Sequence, residues 1–143
     1  MKSNEYFWLN KQLLPVSHFL RSRSMLTKET IRDIALSFPD TDEQIQFDLI
    51  HFRVNKKFFA SLNMAMKRCT LKFSAEYQDI FISIGKGKIY AVPNAWGRLG
   101  WTTLELPTLK KEFIKDALLV AWRGTAPKKY EKLFPDWYKD ETD

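Results

Sequence analysis

The sequence predicts an α+β domain in which an antiparallel β-sheet is flanked by an N-terminal and a C-terminal helix on one face. Three observations predict it. Ile31, Ile34, Ala35 and Phe38 recur at i, i+3, i+4 and i+7, and Phe113, Ala117, Leu118, Ala121 and Trp122 mark an apolar face in the same way near the other end of the chain. Between these helices, short segments alternate apolar and polar residues and are joined by turn signals, as consecutive antiparallel strands are. Hydrophobic residues make up 45% of the 143 positions, enough to close a core of ordinary domain size without disulfides or metals.

The elements follow in order. Residues 1–24 read as an N-terminal extension, with amphipathic stretches on either side of Pro15 and a linker at Arg21–Ser24. The domain is expected over 25–134, with a polar tail at 135–143. Thr27 is placed as an N-cap and Glu29 in the first turn, where the helix dipole favours an acid, so a helix is expected over 28–38, stopped by Pro39-Asp40. Ile45, Phe47 and Leu49 alternate, and then the phase switches to Ile50, Phe52 and Val54. A change of parity needs a bulge or a turn, placed here at Asp48-Leu49. Asn55-Lys56 reads as a tight hairpin turn because Asn tolerates positive φ, and Lys57–Leu62 is the return strand. A fourth strand is expected at Cys69–Phe73, then a short helix over 75–82 capped by Ser74 and ended by Gly85 and Gly87. Tyr90–Gly100 reads as a loop broken by Pro93, Asn94 and Gly97, and Trp101–Leu106 as a strand. A long helix over 109–123 with Gly124 as C-cap, and a last turn or two in Lys128–Leu133, complete the set.

Several function classes are excluded. No apolar run is long enough to span a bilayer, and Met1–Trp8 contains Glu5 and no extended apolar stretch, so no signal peptide is read and the expectation is a cytoplasmic protein with no membrane contact. The single cysteine, Cys69, permits no internal disulfide and reads as a small buried filler of a strand. His18 and His51 are isolated, which gives neither a triad nor a metal site, and Asp40, Asp42 and Glu43 read as a solvated acidic loop. No acid–base pair and no nucleophile beside a base is visible, so no enzyme, no cofactor and no catalytic residue is expected. Nothing in the sequence specifies an oligomeric state.

The net charge of +6 is unevenly placed: residues 51–101 carry nine bases and two acids, while residues 27–50 carry two bases and six acids. A basic middle third concentrates polyanions, although it also serves solubility. Within it, Lys56 and Lys57 mark a hairpin tip, Lys67 and Arg68 precede a strand, Lys72 lies on that strand, Lys86 and Lys88 sit in a glycine-flanked loop, and Arg98 sits in the tryptophan loop. Gly85-Lys86-Gly87-Lys88 lacks the strand–loop–helix setting of a nucleotide phosphate loop. Trp96 and Trp101 flank Gly97-Arg98-Leu99-Gly100; Trp101 is expected in the core, and Trp96 half-buried and available to stack on a base. These bases suggest weak, sequence-tolerant contacts to the phosphates of DNA. The alternative is a protein- or small-ligand-binding module that uses the aromatic loop 90–101.

Phe52-Arg53-Val54-Asn55-Lys56-Lys57-Phe58-Phe59-Ala60 is similar to the central hairpin of the MmcQ/YjbR family. Ala35-Leu36-Ser37-Phe38-Pro39-Asp40-Thr41 resembles the end of its first helix, Leu71-Lys72-Phe73 one of its strands, and Val92–Thr102 its Gly-Trp strand start. The resemblance covers about residues 26–130. Asn55 stands where the family commonly has Gly, and Ala121-Trp122 where it commonly has Ser-Tyr. The resemblance implies a frataxin-like, double-wing α+β sandwich, and it implies DNA binding on the strength of shape and charge.

Overall fold

The computed structural model describes residues 26–133, with side chains to 131; the expected extension 1–24 and tail 135–143 lie outside the described residues. The chain forms helix α1 (Lys28–Ser37), strands β1 (Thr41–Gln46), β2 (Leu49–Val54), β3 (Lys57–Asn63) and β4 (Arg68–Lys72), then helix α2 (Ala75–Gly85). Strand β5 (Ile89–Ala91), a single turn α3 (Ala95–Arg98), strand β6 (Trp101–Glu105), helix α4 (Lys111–Thr125) and a 3-10 helix (Lys128–Leu133) complete it. The strands make one sheet in the order β1-β2-β3-β4-β6-β5, and every neighbouring pair is antiparallel. The antiparallel α+β architecture is the one the alternation of helical and strand patterns predicts.

The inner face is built by register. Ile50, Leu62, Cys69, Leu104 and Ile89 are successive cross-strand partners, and Phe52, Ala60, Leu71 and Thr102 form the next row; all are buried. α4 packs on β3 and β4 with Phe113, Ile114, Ala117 and Leu118 buried, α1 packs on α4 and β1, and α2 packs on β5. Trp122 ties the layers together: its ring is fully buried against Phe38, and its Nε1–H donates to the Pro39 carbonyl at 3.1 Å. Thr27 and Ser74 cap α1 and α2 by accepting from the amides of Thr30 and Tyr77. Cys69 lies in the inner row, and burial pushes its thiol up to about 12, so it is a packed filler.

Some expectations shift. The parity change is resolved by a two-residue turn at Phe47-Asp48, one position earlier than expected, with Phe47 in the left-handed region and 91% exposed. Ile45 on the edge strand β1 is 65% exposed. α2 runs to Gly85, three residues past its expected end. Tyr90 and Ala91, expected in the loop that runs to Gly100, pair with β6 together with Ile89 as β5, and Ala95–Arg98 closes a helical turn within that loop. α4 passes through Gly124 to Thr125, because the Ala126 amide still bonds to the Trp122 carbonyl and Pro127 then ends the ladder. Among the described residues no helix is long and apolar enough to cross a membrane.

Candidate functional site

All the helix contacts above fall on one face of the sheet, so among the described residues no helix packs on the other face. Its residues alternate with the core rows: Gln44, His51, Ser61, Thr70, Thr103 and Tyr90 are cross-strand partners on one outer row. Toward the strand ends nearest the β2–β3 turn this face becomes aromatic. Phe58 pairs with Arg53, and the register shift between Phe52 and Arg53 leaves Phe59 as an extra residue. The bulge turns two successive residues, Phe59 and Ala60, to the buried inner side, and Phe58 before them stays on the outer side, 43% exposed. His51 meets Phe58 edge-on, with ring centroids 5.7 Å apart. Trp101, the first residue of β6, lies on the same side, and Trp96 arrives from α3. His51, Phe58, Trp96 and Trp101, with Gln44 and Ser61, line an open concavity of about 800 Å³.

Trp101 was expected in the core. It is half-buried on the open face, because Thr102 and Leu104 take the inward parity of β6 and leave Trp101, Thr103 and Glu105 outward. Trp96 was expected half-buried and is 60% exposed.

The segment that carries the two tryptophans is held tightly. The Val92 amide donates to Trp101 O at 2.9 Å, and the Phe73 amide to Gly100 O at 3.0 Å. The Gln78 side-chain amide on α2 donates to Gly97 O at 3.0 Å and Thr102 Oγ1 at 3.1 Å, with a longer contact to Trp101 O at 3.4 Å. Gly100 has φ +106°, and a Cβ there would sit 2.0 Å from the Phe73 carbonyl oxygen; at Gly97 one would sit 1.9 Å from Val92 O. Only glycine fits at either place. Asn94, with φ +76°, accepts from the Trp96 amide and starts the turn.

The basic residues divide between the two ends of the strands. Lys56 and Lys57 at the β2–β3 turn, Lys72 at the end of β4 and Arg98 in α3 share the aromatic end. Lys72 is the cross-strand partner of Trp101, which puts the two side chains side by side on the outer face. Lys67, Arg68, Lys86 and Lys88 gather at the opposite end, where the Leu106 amide bonds to Lys67 O and the Glu105 amide to Lys88 O. At ~3.3 Å per residue the two groups stand roughly 13 Å apart along β4, from Arg68 to Lys72, and roughly 20 Å apart along β3, from Lys57 to Asn63 beside Arg68. The sequence brings the bases into one stretch, and the strand reversals separate them.

Their partners differ as well. Arg68 Nε donates to Glu105 Oε2 at 3.0 Å, and Tyr90 O–H donates to the same oxygen, a bond that raises the phenol's pKa. Arg53 grips Asp42 with two bonds of 2.8 and 2.7 Å. That pairing, more than the nearby charge of Lys56, holds the Asp42 carboxyl below the usual carboxylate range. Arg32 holds Glu43 in the same fork, so two of the three residues read as a solvated acidic loop are paired strand residues. Lys56, Lys57, Lys72 and Arg98 make no ion pair among the described residues. The carboxylates of Asp40 and Glu76 are at that end too, so the four bases leave an excess of positive charge there. Among the described residues no three His, Cys, Asp or Glu side chains cluster to hold a metal ion.

The family model described as YjbR matches residues 36–124. The crystal structure of a Deinococcus radiodurans protein with a DUF419 domain aligns with a TM-score of 0.61 and 18% sequence identity, over 78% of this chain and 89% of that one; at this identity the likeness is one of fold. No curated protein matches the chain.

Proposed function

The chain belongs to the YjbR family, and from that premise we propose that it is a non-enzymatic DNA-binding domain which holds phosphates through Lys56, Lys57, Lys72 and Arg98 with little reading of base sequence. The observation that carries this reading is the grouping of four bases, none ion-paired among the described residues, at the one end of the uncovered sheet face that also bears exposed aromatic rings. Ammonium and guanidinium groups without carboxylate partners are free to displace counterions from a phosphate backbone, whereas Arg68, already bonded to Glu105, is less so. Lys67, Lys86 and Lys88 at the far end add long-range attraction and extend the strip along which a polyanion would lie. Among the described residues no helix presents a basic face to a groove, which favours contacts that position the nucleic acid over contacts that specify its sequence.

Neutralising about four phosphates gives a slope of log K against log salt of roughly −3 to −4. Titrating labelled DNA at several salt concentrations measures it. Replacing Lys56 and Lys57 together by Ala is expected to weaken binding and to flatten the slope by about 1.5 to 2. Unchanged affinity and slope in that variant would overturn the reading. A second reading, a module for a small ligand, is favoured by the concavity itself, whose 800 Å³ falls within the ~300–1,000 Å³ typical of ligand pockets. Binding of a neutral ligand there would be insensitive to salt, which separates the two.

A further inference from the structure

We propose that His51, Phe58, Trp96 and Trp101 form a stacking shelf for unpaired nucleobases, so that the domain prefers single-stranded DNA to duplex. This rests on the DNA-binding reading above and goes beyond it, because phosphate contacts alone do not distinguish the two forms of DNA.

The argument starts from exposure. Trp96 and Phe58 keep 60% and 43% of their surface in water, although the inner face buries every other phenylalanine of the strands and of α4. A tryptophan that packed only for stability would be drawn inward, as Trp122 is. The exposed rings are also held in place. Gln78, Gly97 and Gly100 fix the segment that carries both tryptophans, so little ordering entropy is lost when a ring meets a flat partner. The ring faces are sequence-tolerant partners for any base, and the Gln44 amide and the Ser61 hydroxyl in the same concavity offer hydrogen bonds to base edges.

Charge complements the rings. Lys57 precedes Phe58, Lys72 lies opposite Trp101, and Arg98 lies between Trp96 and Trp101 in the chain. Cations alternating with aromatic faces match the alternation of phosphate and base along a single strand. A duplex keeps its bases stacked inside. The shelf is part of a sheet face and does not protrude into a groove, so duplex would meet only the cations.

The test compares three labelled probes of about ten nucleotides by fluorescence anisotropy at low and moderate salt: a thymidine oligonucleotide, a duplex, and an abasic strand with the same phosphates. The thymidine strand is expected to bind at least about five-fold more tightly than the abasic strand, and Trp96→Ala is expected to remove most of that difference while leaving duplex affinity unchanged. Trp96 is exposed, so its replacement leaves the core intact; Phe58→Ser is the second variant and should act in the same direction. Equal affinity for thymidine and abasic strands, or a Trp96→Ala protein that keeps the full difference, overturns the shelf and leaves the phosphate reading standing. Absence of binding to all three probes at low salt overturns both.

Discussion

Lys56 occupies a backbone position that turn chemistry assigns to glycine, and replacing it separates fold from function. The β2–β3 connection is a two-residue turn in which Asn55 has φ +49° and Lys56 φ +67°. Positive φ at both central residues is the type I′ geometry, whose twist suits a hairpin and whose second position is most often Gly. A lysine there pays the contact between its Cβ and the backbone, about 1–2 kcal/mol. Lys56→Gly removes that contact but gives the unfolded chain more freedom, which returns roughly 0.5–1 kcal/mol. The net expectation is a gain of about 0.5–1 kcal/mol, or an upward shift in Tm of roughly 2–6 °C for a domain of this size. Lys56→Ala loses the same charge and keeps the Cβ, so it should bring no such gain. Thermal and urea denaturation followed by circular dichroism compare the three proteins. Both variants should bind DNA more weakly than the parent and to a similar extent. A Lys56→Gly protein that is no more stable than Lys56→Ala refutes the strain argument. One that is more stable and binds DNA as tightly as the parent refutes a role for the Lys56 ammonium.

Two further predictions concern the frame of the site. Gly100→Ala forces a Cβ to within 2.0 Å of Phe73 O at φ +106°, and it should cost about 3 kcal/mol by combining overpacking with backbone strain; Gly87→Ala, at φ +88° with nothing within 4 Å, should cost only the strain, about 1–2 kcal/mol, and the difference between their urea midpoints measures the close approach. The Glu43 carboxyl is held below its ordinary value by hydrogen bonds from Arg32, so its contribution is fully present above the unfolded carboxylate pKa of about 4.3 and is lost as pH falls through the lower folded value; urea unfolding between neutral and acid pH should show Glu43→Gln losing less stability on acidification than the parent, and parallel curves would refute the coupling.

Much of the frame is legible in the residues, and what is not has a physical reason. α1 and α4 announce themselves because a one-sided apolar stripe at helical period has one good solution, and Asn55 marks its turn because few residues accept positive φ. β5 does not, since three residues cannot display a period; Ile89–Ala91 become a strand only because β6 offers an edge. Trp101 misleads because hydrophobicity says inward while parity says outward. Thr102, buried and donating its hydroxyl to Gly100 O at 3.0 Å, takes the inward place. The dense positive charge of 51–101 is visible, and its division is not. Each hairpin reverses the chain, so turns that follow one another fall at opposite ends of the sheet and carry Lys56 and Lys67 apart.

The backbone at those turns supplies an argument that charge counting lacks. Lys56, Lys67 and Lys86 all lie in the left-handed region, at φ +67°, +55° and +49°. Non-glycine residues take positive φ in only a few per cent of cases, with Asn and Asp, whose short side chains bond locally, enriched among them; Asp40, Asn55 and Asn94 are of that kind here, while Phe47 and Thr108 share the conformation without it. Lysine has no such compensation. A solubilising charge is satisfied by any exposed position, and the helices offer many unstrained ones, such as Lys111 and Lys115 on α4. Placing lysines where glycine would be easier makes sense when the position matters: at turns, the side chain projects past the strand ends and beyond the sheet, where an extended polyanion crossing the open face would reach it. Strain at positions that local rules disfavour is a signature of functional sites. Here Lys56 and Lys67 carry it at opposite ends of the sheet.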